Sequence, residues 1–86
     1  MIVKVCGKRW RLVFEDLGDD DGSCDSPDAK NKRVVINTRV TANSQAYMET
    51  VLHELLHAAV WSLDEEYVHD YAADAARILH RLGFRK

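Results

Sequence analysis

The chain has 86 residues, a length that suits one small domain, and we expect residues 1–86 to form a single unit. Its formal net charge of −2, with both signs interspersed, gives no overall basic field of the kind that attracts nucleic acid, so no nucleic-acid partner is expected. No apolar run approaches the roughly 20 residues of a membrane span, and no signal-peptide pattern opens the chain, which predicts a cytoplasmic protein without membrane contact.

The first half of the chain has the composition of strands. Ile2–Cys6 and Trp10–Glu15 are rich in β-branched and aromatic residues, and Gly7–Arg9 between them suits a hairpin turn. Leu17–Asn31 gathers Asp, Gly, Ser and the only proline, which predicts an irregular surface loop. Arg33–Asn37 is again apolar and β-branched and predicts a third strand.

The second half has helical periodicity. A helix is predicted from about Asn43 to near Trp61, and because it is apolar on most sides we expect it to lie between the sheet and another helix. A second helix begins by Asp64 and ends before Gly83. Its inward stripe is predicted to contain Val68, Ala72, Ala75 and Leu79. The fold class is therefore α+β: a small three-stranded sheet followed by a two-helix hairpin.

The motif His53-Glu54-Leu55-Leu56-His57 is the most informative part of the sequence. Histidines four residues apart on a helix project from one face, so the imidazoles of His53 and His57 can bind one metal ion. Zinc in a hydrolytic site takes three protein ligands and keeps a position for water, which becomes the nucleophile. Glu54 is placed to act as the general base that takes the proton of this water. The motif therefore predicts zinc-dependent hydrolysis.

The third zinc ligand is expected on the second helix. In a tight helix hairpin, His57 and Glu65 lie at nearly the same height, and Glu65 continues the inward face of the second helix. Two alternatives remain open, because Glu65 has capping-box spacing from Ser62 and its carboxylate would then bond the backbone there. In that case Glu66, or with less support His69, becomes the third ligand.

The residues Met48–Ala58 and Leu63–Val68 resemble the small HExxH metallopeptidases of bacteriophage type, which are similar in turn to minimal gluzincins among the zincins. The resemblance extends weakly to Gly22–Asp25, before the strand at Val34–Ile36. The resemblance implies hydrolysis of peptide bonds in a peptide or protein substrate. It also implies a glutamate of the following helix as third ligand, and an extended substrate held along a strand edge, here that of Arg33–Asn37. A tyrosine or histidine often stabilises the oxyanion in such sites, and four residues are candidates for this role: Tyr47, Tyr67, Tyr71 and His69.

Two other functions compete with the peptidase. The metal site could be a structural staple in a non-catalytic protein-binding module, which would require a fourth protein ligand such as Cys24 or His69. Alternatively, the same zinc chemistry could serve an amidase acting on a cell-wall peptide. The number of protein ligands and the substrate that is cleaved distinguish these possibilities.

Two weaker features receive ordinary structural interpretations. Cys6 and Cys24 are predicted to be reduced thiols, with a disulfide between them as the alternative. Basic residues at the end of the second helix are predicted to complement its dipole: Arg77, His80, Arg81, Arg85 and Lys86.

Overall fold

The computed structural model describes residues 1–84. Its strands are β1 (Ile2–Val5), β2 (Lys8–Glu15), β3 (Gly22–Cys24) and β4 (Arg33–Asn37). A 3-10 helix (Thr38–Ala42) leads into α1 (Ser44–Ala59), and α2 (Glu65–Arg81) follows. Arg85 and Lys86, part of the predicted basic helix end, lie outside the described residues. Neither helix in this part of the chain is long and apolar enough to cross a membrane.

The four strands form one sheet in the order β1-β2-β4-β3. β1 and β2 are antiparallel, β2 and β4 are parallel, and β3 runs antiparallel to β4. The α+β class with a sheet and two helices is confirmed, but the prediction of three strands is wrong. The additional strand β3 lies inside the segment predicted to be an irregular loop. Its pairing with β4 is a tertiary contact that the local Gly-Ser-Cys composition does not indicate.

β4 is an inner strand, bonded to β2 on one side and to β3 on the other. The prediction that Arg33–Asn37 offers a free edge to substrate is therefore wrong, because β3 is the edge strand on that side of the sheet. The backbone of Asp21 accepts a hydrogen bond from β4 at 2.8 Å, and that of Asp25 donates one at 3.0 Å. Because backbone groups alternate along a strand, those of Gly22 and Cys24 between them face away from β4.

The β1–β2 hairpin turns at Cys6 and Gly7, one residue earlier than predicted. Val5 pairs with Lys8, and the two residues between them have φ values of 49° and 81°. Positive φ at both central residues is the geometry of a two-residue type I′ turn, which matches the twist of the flanking strands.

The helices pack as predicted, with α1 between the sheet and α2. α1 begins after Asn43, whose side-chain oxygen accepts a hydrogen bond from the Ala46 amide at 3.0 Å. On α2 the fully buried residues are Val68, Ala72 and Ala76, which permit close approach of the two helices. On its other side, α1 packs Ala58 against core residues of the sheet and the 3-10 helix: Trp10, Val34, Ile36 and Val40.

Gly22 sets the distance between β3 and α1. A Cβ atom at this position would lie 2.9 Å from Cγ of Glu54 and 3.0 Å from Cγ2 of Thr50. Contacts this short do not occur between real side chains, so only glycine allows β3 to lie against the motif helix. The sequence analysis did not single out this residue.

We expect Gly22→Ala to lower the free energy of unfolding by about 1–3 kcal/mol, because the added methyl group overpacks the β3–α1 contact. Urea denaturation measures this change. Ser23→Ala, at an exposed position of the same strand, is the matched control. Equal stability of the two variants would contradict the close packing.

Candidate metal centre

The His-Glu-Leu-Leu-His motif occupies the middle of α1, where the helix is held on both sides by the sheet and α2. His53 and His57 project one turn apart, and their ring centroids are 4.9 Å from each other. The two Nε2 atoms are 3.2 Å apart. Both side chains are about one-fifth exposed, so the imidazoles sit at the mouth of a cavity and not in closed core.

A five-residue connection brings the start of α2 onto these imidazoles. The Val60 amide bonds the Leu56 carbonyl at 2.9 Å to end α1, and the Leu63 amide bonds the Val60 carbonyl at 3.0 Å within the turn. Asp64 then caps α2, since its Oδ1 accepts a hydrogen bond from the Glu66 amide at 2.8 Å. Glu65 thus becomes the first residue of α2.

The carboxylate of Glu65 spans both imidazoles. One oxygen lies 2.8 Å from Nε2 of His53, and the other lies 2.7 Å from Nε2 of His57. The predicted capping box from Ser62 is wrong, because Asp64 supplies the cap and leaves Glu65 available. Glu66 is exposed, and neither it nor His69 belongs to the group that converges here.

This group fits a zinc ion. Among the His, Cys, Asp and Glu side chains of residues 1–84, one group lies close enough together to hold a metal. It consists of His53, His57 and Glu65, whose ligand atoms lie within 4.8 Å of one another. A tetrahedral site with bonds of about 2.0–2.1 Å separates its ligand atoms by about 3.3 Å, close to the 3.2 Å between the two Nε2 atoms. The Glu65 oxygens lie at hydrogen-bond distance from these nitrogens, 2.8 and 2.7 Å, so the carboxylate would move back by about 0.5 Å to admit the ion. Two imidazoles and one carboxylate are also the ligand types of several hydrolytic zinc enzymes.

Glu54 lies beneath the two histidines on the same helix and is only 7% exposed. Burial, and secondarily the negative charge of Glu65, raises the pKa of the Glu54 carboxyl from 4.5 to about 7. No hydrogen bond restrains this carboxylate among the described residues. A carboxyl group with such a pKa can both accept and return a proton near neutral pH.

The space in front of these residues forms a cavity of about 370 Å³, which we call the metal-site cavity. It is lined by Gly22, Cys24, His53, Glu54, His57, Trp61 and Glu65. Burial, with the charges of Glu54 and Asp25, raises the pKa of the Cys24 thiol to about 12. The ligand atoms that converge belong to His53, His57 and Glu65, and Cys24 lies outside this group. Cys6 and Cys24 are both free thiols, as predicted.

A second cavity, of about 220 Å³, continues past His53 toward the loop before β3, and we call it the acidic cavity. It is lined by Asp20, Asp21, Gly22, Glu49, Thr50, His53, Glu54 and His69. Of the four candidates for oxyanion stabilisation, His69 lines this cavity with its ring centroid 6.4 Å from that of His53. Tyr67 and Tyr71 are half exposed, and Tyr47 packs against Phe14.

The sequence analysis missed two residues that build the site, Gly22 and Asp64. The signal for Asp64 was present, because an aspartate directly before Glu-Glu at a helix start is a strong N-cap pattern. Gly22 carried no comparable signal in a loop rich in aspartate and glycine.

A profile of the SprT-like family matches residues 4–78, which run from the second half of β1 to most of α2. The chain belongs to the SprT-like family. Domains of this family are zincin-type and metallopeptidase-like, which supports the broader resemblance inferred from the sequence. The bacteriophage and gluzincin subdivisions stay predictions. Neither curated proteins nor solved structures gave a match to this SprT-like domain.

We expect His53→Ala, His57→Ala and Glu65→Ala each to remove zinc from the SprT-like domain, because each deletes one of three ligands. Glu66→Ala is the matched control, since it removes the neighbouring exposed carboxylate and should retain zinc. The zinc content per chain after dialysis is measured for the three ligand variants and for the control. Loss of zinc in Glu66→Ala with retention in Glu65→Ala would contradict the assignment.

We expect Glu54→Gln to stabilise the metal-free domain above neutral pH. Because the folded pKa is raised, the stability contributed by this carboxyl is fully present below pH 4.5 and is lost as the pH rises through about 7. At pH 8 the variant should melt at least about 5 °C above wild type, and the difference should shrink toward pH 4.5. Thermal unfolding in a chelator, with Glu66→Gln as control, tests this. A difference that does not depend on pH would contradict it.

Proposed function

We propose that this SprT-like domain is a zinc-dependent peptidase that hydrolyses peptide bonds with Glu54 as general base. The observation that carries the proposal is the convergence of His53, His57 and Glu65 beside a buried carboxylate. A zinc ion held by these three side chains would supply a Lewis acid and lower the pKa of water to about 7.

Two further side chains, Glu54 and His69, are assigned the proton transfer and the stabilisation of the oxyanion. Glu54 has no hydrogen-bonded partner in the described part of the chain, so its carboxylate is available to take the proton of the attacking water. It can then deliver this proton to the nitrogen of the leaving amine. Its position on the rigid motif helix fixes its distance from the three ligands. His69, at the rim, is the best placed of the four candidates to donate a hydrogen bond to the developing oxyanion.

The free edge of β3 supports an extended peptide as the substrate. The outward backbone groups of Gly22 and Cys24 offer donors and acceptors to a peptide strand, whatever its sequence. Gly22 lies against Glu54, and Cys24 lines the cavity in front of the ligands. A peptide that extends the sheet here would pass directly before the metal centre, and Trp61, half exposed at the rim, would contact its side chains.

The open geometry favours catalysis over a structural role. Structural zinc sites are closed by four protein ligands, whereas catalytic sites keep one position for water. Here three side chains converge, and the third ligand, Glu65, has a side chain that is 67% exposed to solvent. A non-catalytic binding module would need a further ligand, and among residues 1–84 no fourth His, Cys, Asp or Glu side chain joins the group.

We expect Glu54→Gln to retain zinc and lose hydrolysis by a factor of about 10²–10⁴, because it removes the proton acceptor and keeps the ligands and the side-chain shape. Cleavage of an unstructured protein such as casein, followed with zinc-loaded protein, measures the rate. A parallel assay on cell-wall peptide fragments distinguishes a peptidase from an amidase.

Asp70→Asn is the matched control for this experiment, since it removes an exposed carboxylate of α2 that lines neither cavity. This variant should cleave at the wild-type rate. Unchanged hydrolysis in zinc-loaded Glu54→Gln would refute the assignment of the base, and absence of any hydrolysis by zinc-loaded wild type would refute the peptidase.

A further inference from the structure

The acidic cavity adjoins the metal centre along the path proposed for the substrate. It shares Gly22, His53 and Glu54 with the metal-site cavity, at the end of β3 that is opposite to Cys24. A peptide lying along β3 would therefore place a side chain close to the bond being cleaved into this cavity. Its volume of about 220 Å³ suits one side chain and not a larger ligand.

Negative charge dominates the lining. Asp20, Asp21 and Glu49 add three carboxylates to that of Glu54, and no lysine or arginine among residues 1–84 lines the cavity. Arg39 pairs with Asp21 at 2.9 Å, which offsets one charge. Asp20 and Glu49 have no ion pair in residues 1–84. A cavity with two uncompensated carboxylates attracts a cation.

Thr50 gives an independent indication of a ligand with hydrogen-bonding groups. Its side chain is 7% exposed, and its hydroxyl has no hydrogen bond to any described residue. Among the completely enclosed side-chain N and O atoms of residues 1–84, Nε1 of Trp10 is the one that lacks a hydrogen-bond partner. The hydroxyl of Thr50 also lacks a partner and is therefore not completely enclosed. It opens onto the cavity that Thr50 lines. This hydroxyl, on a side chain that is otherwise buried, is open to the cavity, where a ligand can supply its hydrogen-bond partner.

The spacing of the carboxylates favours an extended organic cation over a metal ion. In the described residues, the one group of three side chains close enough to share a metal ion is that of His53, His57 and Glu65. The carboxylates of Asp20, Asp21 and Glu49 do not form a second such group. A guanidinium has five N–H donors spread over a plane and can contact separate carboxylates and a hydroxyl at once.

The core fixes the loop that carries Asp20. Asn37 is 1% exposed, and its Nδ2 donates hydrogen bonds to the carbonyls of Gly18 at 3.1 Å and Asp20 at 2.7 Å. Asp20 is thus held at the cavity by a buried side chain, while Glu49 and Thr50 approach from the rigid helix α1. A site held in place before binding loses little free energy to ordering.

We propose that the acidic cavity is a specificity subsite for a basic side chain of the peptide substrate, arginine above all. Asp20 and Glu49 provide the opposing charges, and the hydroxyl of Thr50 accepts a hydrogen bond. This proposal rests on the proposed peptidase function, because it assigns the residue next to the cleaved bond. It concerns different side chains from those that bind the metal or transfer the proton.

The test compares two series of peptides with zinc-loaded protein. In one series a single arginine is moved through an alanine peptide, and in the other citrulline, which has nearly the same shape without the charge, replaces it. Wild type should cleave the best arginine peptide with a kcat/KM roughly ten-fold above that of its citrulline partner. The double variant Asp20→Asn, Glu49→Gln should lower this ratio to about one.

Two further variants make the result specific. Asp70→Asn should keep the wild-type ratio, because its carboxylate lies outside both cavities. Glu49→Lys should shift the preference from arginine to glutamate peptides, a gain that partial unfolding cannot imitate. Zinc content and far-UV circular dichroism confirm that each variant is folded.

The outcomes separate this subsite from the peptidase itself. If wild type cleaves arginine and citrulline peptides at equal rates, the proposed subsite is refuted, whereas the proposed peptidase activity is supported. If no peptide is cleaved, calorimetric titration of zinc-loaded protein with the same pairs decides: tighter binding of the arginine peptide, abolished in the double variant, supports the subsite alone. Equal binding overturns the subsite as well.

Discussion

The short connection between the two helices is the constraint on which the site depends. With five residues between α1 and α2, the first carboxylate of α2 has to lie level with the last turns of α1, where His53 and His57 project. Asp64 ends the turn as an N-cap, so Glu65 need not satisfy the helix terminus and can span both imidazoles. Asp64 thus caps the helix, and the adjacent Glu65 is left to contact the two imidazoles.

A second constraint operates on the opposite side of α1. β3 can approach the motif helix only at a glycine, and this approach buries Glu54 between the strand and the histidines. Burial beside a second carboxylate makes the charged form of Glu54 costly, which raises its pKa. The same contact places the free backbone edge of β3 before the metal centre. Packing, the proton affinity of Glu54 and the position of the sheet edge therefore follow from one close contact between a strand and a helix.

Most of the α-helical part could be predicted from the sequence, because its signals are local. The spacing of the motif identified His53, Glu54 and His57 as a group, and helical periodicity gave both helices to within about two residues. Reasoning about height and face then singled out Glu65, the residue that the structure brings to the imidazoles. The competing capping interpretation failed because the chain offers a better cap at Asp64.

The sheet was harder to predict, because its arrangement depends on pairings between distant segments. The three-residue strand at Gly22 has no apolar alternation and exists through hydrogen bonds to β4, so its composition indicated only a loop. Once β3 is present, β4 becomes an inner strand and cannot bind substrate at its edge. Asn37 illustrates the same limit: it is almost completely buried and holds a loop more than fifteen residues earlier in the chain, a role that no local pattern indicates.

In the site that we propose, two imidazoles and one carboxylate hold a zinc ion that retains a position for water. X-ray absorption spectroscopy at the zinc edge of the loaded protein tests this directly, because it separates nitrogen and oxygen neighbours at about 2.0–2.1 Å from sulfur at about 2.3 Å. We expect one zinc per chain with only nitrogen and oxygen neighbours, two of them from imidazoles, and one of these neighbours should exchange for an added anion. A sulfur neighbour, which would place Cys24 in a closed four-ligand site, would contradict it.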